Sequence, residues 1–433
     1  MKKESVALRI ILIASIIILL IIPLLMVQSL ITDRQIYRQE AVNEISKSWA
    51  GVQSIAGPIV TVSRKLEKTD SKGNKYFIIK DDYYLPETLK IDVEVLPEKR
   101  YKGIYEVMLY KSKIKMSGTI NLSKLKEKFP DEKFDESYIS FNISDLRGIQ
   151  KDAELNLNGK KYKLIPGLKD KVFQNGFYSD LDLSKEDLPQ NFELELELNG
   201  MENLQFVPLG KFTEVNMKSS WNNPSFEGAF LPLSREITED GFTAQWKANY
   251  FNRSYPQEWE EQTYDPFPSA FGVKLLVPVD EYQKTMRTSK YGLMIIVLTF
   301  LSFFMIELFS KKVIHPIQYL LVGLALIIFY SILLAISEYI LFQYSYLISS
   351  LLIIVLIALY AKSIYQSTQI SIIVTGMLMM FYGFMYVILQ LQDYSLLIGT
   401  IALFIILAAI MFFTRKINWF DVLSNKSNVT RVE

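Results

Sequence analysis

From Tyr291 onward the chain is almost continuously apolar. Tyr291–Phe309, Ile317–Ser337, Tyr339–Tyr360, Ile370–Leu389 and Tyr394–Phe413 are five runs in which Glu307 is the sole charge. Each is roughly the length needed to cross a hydrocarbon core of about 30 Å as a helix. A backbone in hydrocarbon has no water to bond and has to satisfy its donors and acceptors within the segment. The sequence therefore predicts a C-terminal bundle of five transmembrane helices.

Ile10–Val27 is another uncharged run of spanning length. Lys2, Lys3 and Arg9 give it the basic start of a signal peptide, but such leaders have apolar regions of only about 7–15 residues, so it reads as an uncleaved anchor. Short cytoplasmic loops carry an excess of Lys and Arg. With the N-terminus inside, that side receives Lys2 and Lys3, Lys311 and Lys312, Lys362, and Arg415 with Lys416, while the opposite turns carry Glu338 and Asp393. The expected arrangement is an anchor at 1–32, an extracytoplasmic domain at 33–290, a five-helix domain at 291–414 and a tail at 415–433, with both termini cytoplasmic.

The stretch 33–290 is polar and long enough for a substantial core of its own. Ala41, Val42, Ile45 and Trp49 recur at helical spacing, which carries the first span outward to a stop near Gly51. Beyond it the period falls to two. "NFELELELNG" and "LKIDVEV" alternate strictly, "DAELNLNGKKYKLI" predicts a hairpin across Asn158 and Gly159, and "GPIVTV", "GTINL" and "GFTAQWKANYF" add strands. No strand–helix alternation appears, so the domain is expected to be mainly antiparallel β, with short helical interruptions at "LSKLKEKFPDEKF" and "LSKEDLPQNF", and to form a sandwich or twisted half-barrel.

Composition closes off several chemistries. Cys is absent, which removes disulfides, thiolate metal sites and cysteine nucleophiles. His315 is the single histidine, so a zinc site would need an unusual set of carboxylates around one imidazole. It lies beside Lys311, Lys312 and Pro316 at a membrane edge, where interfacial anchoring competes with proton sensing. Lys plus Arg number 47 against 46 Asp plus Glu, without the basic surplus of a nucleic-acid binder. Neither a phosphate-binding glycine loop nor a dinucleotide fingerprint is present. No catalytic residue, metal or cofactor is expected.

Two groups of candidates remain. In the membrane block Glu307, His315, Gln318, Glu338, Gln392 and Asp393 are the polar positions, because ionisable groups within spans are costly and commonly functional. Glu307 has Lys311 at i+4 as a nearby partner. Glu338 and Asp393 are expected to reach water or the exported domain. In that domain Trp49, Trp246, Tyr255 and Trp259 are contact candidates whose default role is core. "NRSYPQEWEEQTYDPFPSAFG" interleaves Tyr255, Trp259 and Tyr264 with Glu258, Glu260, Glu261 and Asp265, which suits either a ligand groove or a loop packed on its own rings.

"YRQEAVNEISKSWAGVQSIAGPIVTV", "AFLPLSREITEDGFTAQWKANYFNRSYPQ" and "HPIQYLLVGLALIIFYSILLAISEYI" carry a resemblance to the CreD family of bacterial inner-membrane proteins. So do "KYGLMIIVLTFLSFFMIELF" and "LQLQDYSLLIGTIALFIILAAIMFFTR", whereas 64–226 shows no motif of that kind. The resemblance implies one N-terminal span, a large periplasmic domain and a C-terminal helical block. It also implies a place in an envelope-stress response, with tolerance to colicins and altered β-lactam sensitivity, and no known catalytic residues. The family pattern often has His after the Ser-Glu pair where this chain has Tyr339.

Residues and resemblance together point to a non-enzymatic multi-pass protein that maintains envelope integrity. The bilayer surrounds it, and envelope proteins or peptidoglycan are its candidate partners. A transporter of a lipid or envelope precursor would need a hydrophilic cavity lined by Glu307, Gln318, Gln390 or Gln392. A periplasmic glycan hydrolase would need two carboxylates facing across a cleft, about 5–9.5 Å apart.

Overall fold

A computed structural model describes residues 6–390 except 70, 124, 126–135, 170–171, 174, 184–189, 262–263, 277–280 and 311, together with 397, 399–401, 404–405, 408, 411–412 and 415. Two compact units emerge, Met1–Arg38 with Val279–Glu433, and Gln39–Pro278. The β-rich unit begins six residues inside, and ends twelve residues inside, the 33–290 stretch read from polarity.

The first unit is helical. It comprises α1 (Val6–Ser48, up to Arg38), α2 (Glu281–Lys290), α3 (Gly292–Ser310), α4 (Pro316–Ser337), α5 (Phe342–Tyr365) and α6 (Thr368–Gln390). All except α2 have the length and apolarity of a membrane span. The last expected span, Tyr394–Phe413, lies largely outside the described residues.

α1 is apolar all round through the membrane stretch, yet it buries one stripe. Leu20, Leu24, Val27 and Ile31 are 0–8% exposed, whereas Ile18, Ile22 and Met26 are more than half exposed. The spacing of four, three and four keeps the buried residues on one helix face. Opposite them sit small residues. A Cβ added at Gly323 would lie 2.2 Å from Leu20 Cδ1, and one at Gly292 would lie 2.8 Å from Leu24 Cδ1. Hydrocarbon supplies no hydrophobic drive between helices, so this close approach, through van der Waals contact, holds α1 to the bundle. On the other side, rings of α4, α5 and α6 interlock. The Phe329 centroid lies 5.5 Å from that of Tyr346 and 4.8 Å from that of Tyr382.

Among the described residues the second unit contains seventeen strands. In chain order these are β1 (Gln53–Thr69), β2 (Lys75–Tyr84), β3 (Thr88–Lys102), β4 (Tyr105–Ile120), β5 (Glu136–Ile143), β6 (Glu154–Leu157), β7 (Lys160–Tyr162), β8 (Ile165–Pro166) and β9 (Gly176–Asp180). They continue as β10 (Gln190–Met201), β11 (Asn203–Phe206), β12 (Phe212–Ser219), β13 (Pro224–Gly228), β14 (Ser234–Thr238), β15 (Gly241–Asn249), β16 (Glu258–Glu260) and β17 (Phe271–Leu275).

One sheet runs β13-β17-β11-β1-β5-β9-β8 with β2 branching from β1 and β16 pairing in turn with β2, and the other runs β14-β15-β12-β3-β4-β10-β6-β7. Their inner faces share one core, so the unit is a sandwich. In β10, Phe192, Leu194, Leu196 and Leu198 enter that core while Glu195 and Glu197 stay exposed, as the alternation requires. Asn158 and Gly159 turn between β6 and β7 with φ of 48° and 85°, the left-handed pair that a two-residue hairpin needs. Two pairings depart from the antiparallel pattern. β1 runs parallel to β11 and β3 parallel to β12, because each returning strand re-enters its sheet after a long excursion through other strands.

Candidate functional site

The buried ionic groups of the helical unit sit at two levels of α1. Arg9 Nη1 lies 2.5 Å from Glu307 Oε1, and Tyr319 donates its hydroxyl to Glu307 Oε2 at 3.0 Å. The Glu307 side chain is only 5% exposed. A desolvated carboxylate needs a counter-charge and donors, and these two residues supply both. Lys311, the partner nominated by spacing, lies outside the described residues. A cavity of about 10 Å³ adjoins the pair, lined among others by Arg9, Glu307, Ile314 and Tyr319, with room for at most a single water.

Twenty-five residues along α1, Arg34 lies 3.5 Å from Glu338, whose side chain is 8% exposed and accepts from Tyr282 Oη at 3.2 Å. The Glu338 side chain is therefore largely withdrawn from solvent, where contact with water or with the exported domain was expected. Its partners come from the 33–290 stretch but belong to the helical unit. At 1.5 Å per residue, Arg9 and Arg34 are about 37 Å apart along the axis, slightly more than a hydrocarbon core. The same helix is thus held by an ion pair at each end of its spanning stretch.

His315 has a local structural role. It is the N-cap of α4, with Nδ1 accepting from Ile317 N at 3.3 Å, while the Gln318 side chain accepts from His315 N at 2.9 Å. Pro316 follows in the first turn, where its missing donor costs nothing. Both polar candidates at this edge complete a capping box. Gln392 and Asp393 lie outside the described residues.

The aromatic candidates of the sandwich are packing residues. Trp246 is 1% exposed, with its ring centroid 5.7 Å from those of Phe226 and Phe271. Tyr255 is 3% exposed and donates to Pro208 O at 3.0 Å, and burial raises its phenol pKa. Trp259 is 6% exposed, on β16, a strand where the sequence suggested a loop. It packs 5.6 Å from Tyr83 and 5.9 Å from Tyr264. Trp49 is half-buried between Arg100, 4.7 Å from its ring, and Lys111 at 5.9 Å. The loop is therefore packed on its own rings. Its carboxylates Glu258, Glu260, Glu261 and Asp265 are exposed, and Glu260 and Glu261 pair with Lys80 at 3.6 and 3.5 Å. The hydrolase reading expected these carboxylates to line a cleft, and here they stand on the exposed surface instead.

The sandwich does present a recessed polar surface. The outer face of the eight-stranded sheet holds a groove of about 960 Å³ between the β14–β15 hairpin and the segment around Lys151 and Glu154. Its floor is striped by strand. β10 contributes Glu195 and Glu197, β4 Lys113 and Lys115, and β3 Asp92 and Glu94, set opposite one another by register. Lys115 pairs with Glu193 and, at 3.3 Å, with Glu195, and Lys218 pairs with Glu94 at 3.0 Å. Asn216 donates to Asp92 at 2.9 Å, and Gln245 donates to Asn216 at 3.0 Å. Cross-strand pairs of opposite charge stabilise such a face, and the remaining donors and acceptors are open to a polar partner. These charges are visible in "KSKIKMS" and "ELELE", but their convergence is set by β4 lying between β3 and β10, which no local pattern specifies. Among the described residues no group of three His, Cys, Asp or Glu could hold a metal ion.

The family model described as inner membrane protein CreD matches residues 5–420. Against the inner membrane protein CreD of Escherichia coli (strain K12), the chain is 32% identical over 418 residues, covering 93% of this chain and 91% of that one. A crystal structure from Parabacteroides distasonis ATCC 8503 superposes with a TM-score of 0.22 at 9% identity over 56% of this chain and 50% of its own, a likeness too slight to carry any argument. An N-terminal apolar helix, a β-rich middle and a block of apolar helices, matched to one family almost from end to end, make this chain a member of the CreD family of multi-pass inner membrane proteins.

Proposed function

We propose that this protein maintains the cell envelope as a non-enzymatic contact protein, with both termini cytoplasmic and the β-sandwich in the periplasm. The sandwich meets its partner through the outer face of the eight-stranded sheet. The groove of about 960 Å³ on that face carries the reading, because it gathers charged and amide groups on an exposed concave surface. The polar groups of the helical unit support the same view. Glu307 is consumed by Arg9 and Tyr319, and Gln318 caps α4, which removes two of the four residues that a transport cavity would require. Partners of this kind are envelope proteins or peptidoglycan, and the colicin-tolerance and stress-response roles implied by the family would follow from losing them.

The chain lacks cysteine, so single cysteines can serve as crosslinking sites. Lys113→Cys and Asn216→Cys, carrying a short bifunctional crosslinker in intact cells, should capture the same envelope component reproducibly. Positions on the opposite sheet should not. A co-purifying lipid, with no component captured from the groove, would favour transport.

A further inference from the structure

One edge of the sandwich is a strand short. β13 ends the nine-stranded sheet and β14 ends the eight-stranded one, and residues 229–233 connect them. The Phe226 ring of β13 lies 5.7 Å from the rings of Phe242 and Trp246, so β13 sits beneath β15. β14 reaches one strand further out. Opposite residues of an antiparallel pair share a face, and Arg235 and Ile237 stand opposite Ala244 and Phe242. Those partners are 5% and 3% exposed, yet Ile237 is 49% exposed. Ile237 therefore points to the core side of its sheet from a strand that the facing sheet does not reach. Leu231 and Leu233, in the connection, are also exposed.

Backbone groups and a charge are open at the same edge. Ala229 N donates to Ala270 O at 2.9 Å, which makes Ala229, and by alternation Glu227 and Ser225, the bonded positions of the β13–β17 ladder. Phe226 between them turns its N–H and C=O outward, where β13 has no neighbour among the described residues. The Arg235 guanidinium lies 5.8 Å from the Phe226 centroid, and no carboxylate pairs with it among the described residues. An unpaired strand edge is a template for another strand, which gains main-chain bonds from the edge and specificity from alternate side chains.

We propose that this edge takes an extended peptide segment of another protein as an added strand beside β13, with apolar side chains under Ile237 and a carboxylate on Arg235. A second copy of this chain does not fit the space. Were two β13 strands to pair edge to edge, each β14 would reach over the other copy's β13, a position that the other copy's β15 already holds through Phe242 and Trp246. Pairing of two β14 strands would leave the place beside β13 empty in both copies. The site is separate from the groove, since alternation turns Ser234 and Glu236 to the groove side of β14 and Arg235 and Ile237 to the other.

The test is selection of short randomised peptides displayed on phage against the full-length, detergent-solubilised protein, followed by fluorescence anisotropy of the enriched peptides. These should carry apolar residues at every second position and one Asp or Glu. Lys in place of that acid should weaken binding to the parent about tenfold or more, as should Arg235→Glu with the acidic peptide. The Lys peptide should regain affinity for Arg235→Glu, a swap that a misfolded variant cannot produce. No enrichment, enriched peptides without the period of two, or binding indifferent to both charge changes would overturn the proposal. So would spontaneous disulfide dimers of Ile237→Cys that block the peptide, which would assign the edge to a second copy. Groove crosslinking at Lys113→Cys that persists in Arg235→Glu would keep the two surfaces distinct, so either reading can fail alone.

Discussion

Arg9 and Glu307, 298 positions apart in sequence, meet at 2.5 Å inside the helical unit. Removing one partner of a buried pair leaves the other charged and desolvated, at a cost of about 3–5 kcal/mol, whereas replacing both with apolar residues is often neutral. Arg9→Ala should therefore lower the melting temperature of the detergent-solubilised protein markedly. Arg9→Leu combined with Glu307→Leu should recover most of the loss. Equal melting of Arg9→Ala and the parent would show that the pair does not hold α1.

The groove in α4 at Gly323 makes a steric prediction. Leu20 Cδ1 and Phe300 Cζ lie 2.2 and 3.0 Å from where a Cβ would stand. Gly323→Leu should destabilise the bundle by about 1–3 kcal/mol, the usual range for overpacking. Adding Leu20→Ala should restore part of it, because the lost volume lies where the new side chain needs space. Thermal unfolding of the two variants checks this, and no rescue by Leu20→Ala would place the clash elsewhere.

Asp145 makes the sandwich pH-sensitive at its first strand. Its side chain accepts from Arg147 Nη2 at 2.5 Å and from Gly51 N at 2.9 Å. The Arg147 side-chain hydrogen bond, with help from the backbone N–H groups of Gly51 and Arg147, outweighs partial burial and holds the carboxyl below its ordinary value of 3.8. A group whose folded pKa is depressed contributes stability that is complete above the unfolded value and disappears as pH falls through the folded one. Asp145→Asn should thus be less stable than the parent at neutral pH, with the gap closing below about pH 3.8. Tryptophan fluorescence during denaturation at several pH values reads this directly, and a gap independent of pH would refute it.

Much of the architecture was legible because it depends on short-range periodicity. Ile10–Val27 and the runs after Tyr291 announce spans by length alone. The strict alternation Phe192–Leu198 and the Asn158-Gly159 turn announce β10 and the β6–β7 hairpin. Relations between distant segments were not legible. Arg9 looks like an ordinary basic flank until α3 and α4 bring Glu307 and Tyr319 to it, and Glu338 can equally face water or the exported domain until Arg34 and Tyr282 are in place. The parallel pairings of β1 with β11 and β3 with β12 depend on sheet order, which alternation does not encode. Trp246, Tyr255 and Trp259 could have been contacts or core, and burial assigns them to the core.

Cysteine accessibility tests the central claim most directly, namely that the sandwich stands outside the cytoplasm. Lys113→Cys lies in the groove, and Val313→Cys lies in the exposed α3–α4 connection. With the outer barrier opened and the inner membrane intact, a membrane-impermeant maleimide should label Lys113→Cys at once. It should reach Val313→Cys only after the inner membrane is breached. The reverse order would contradict the topology and the envelope role together.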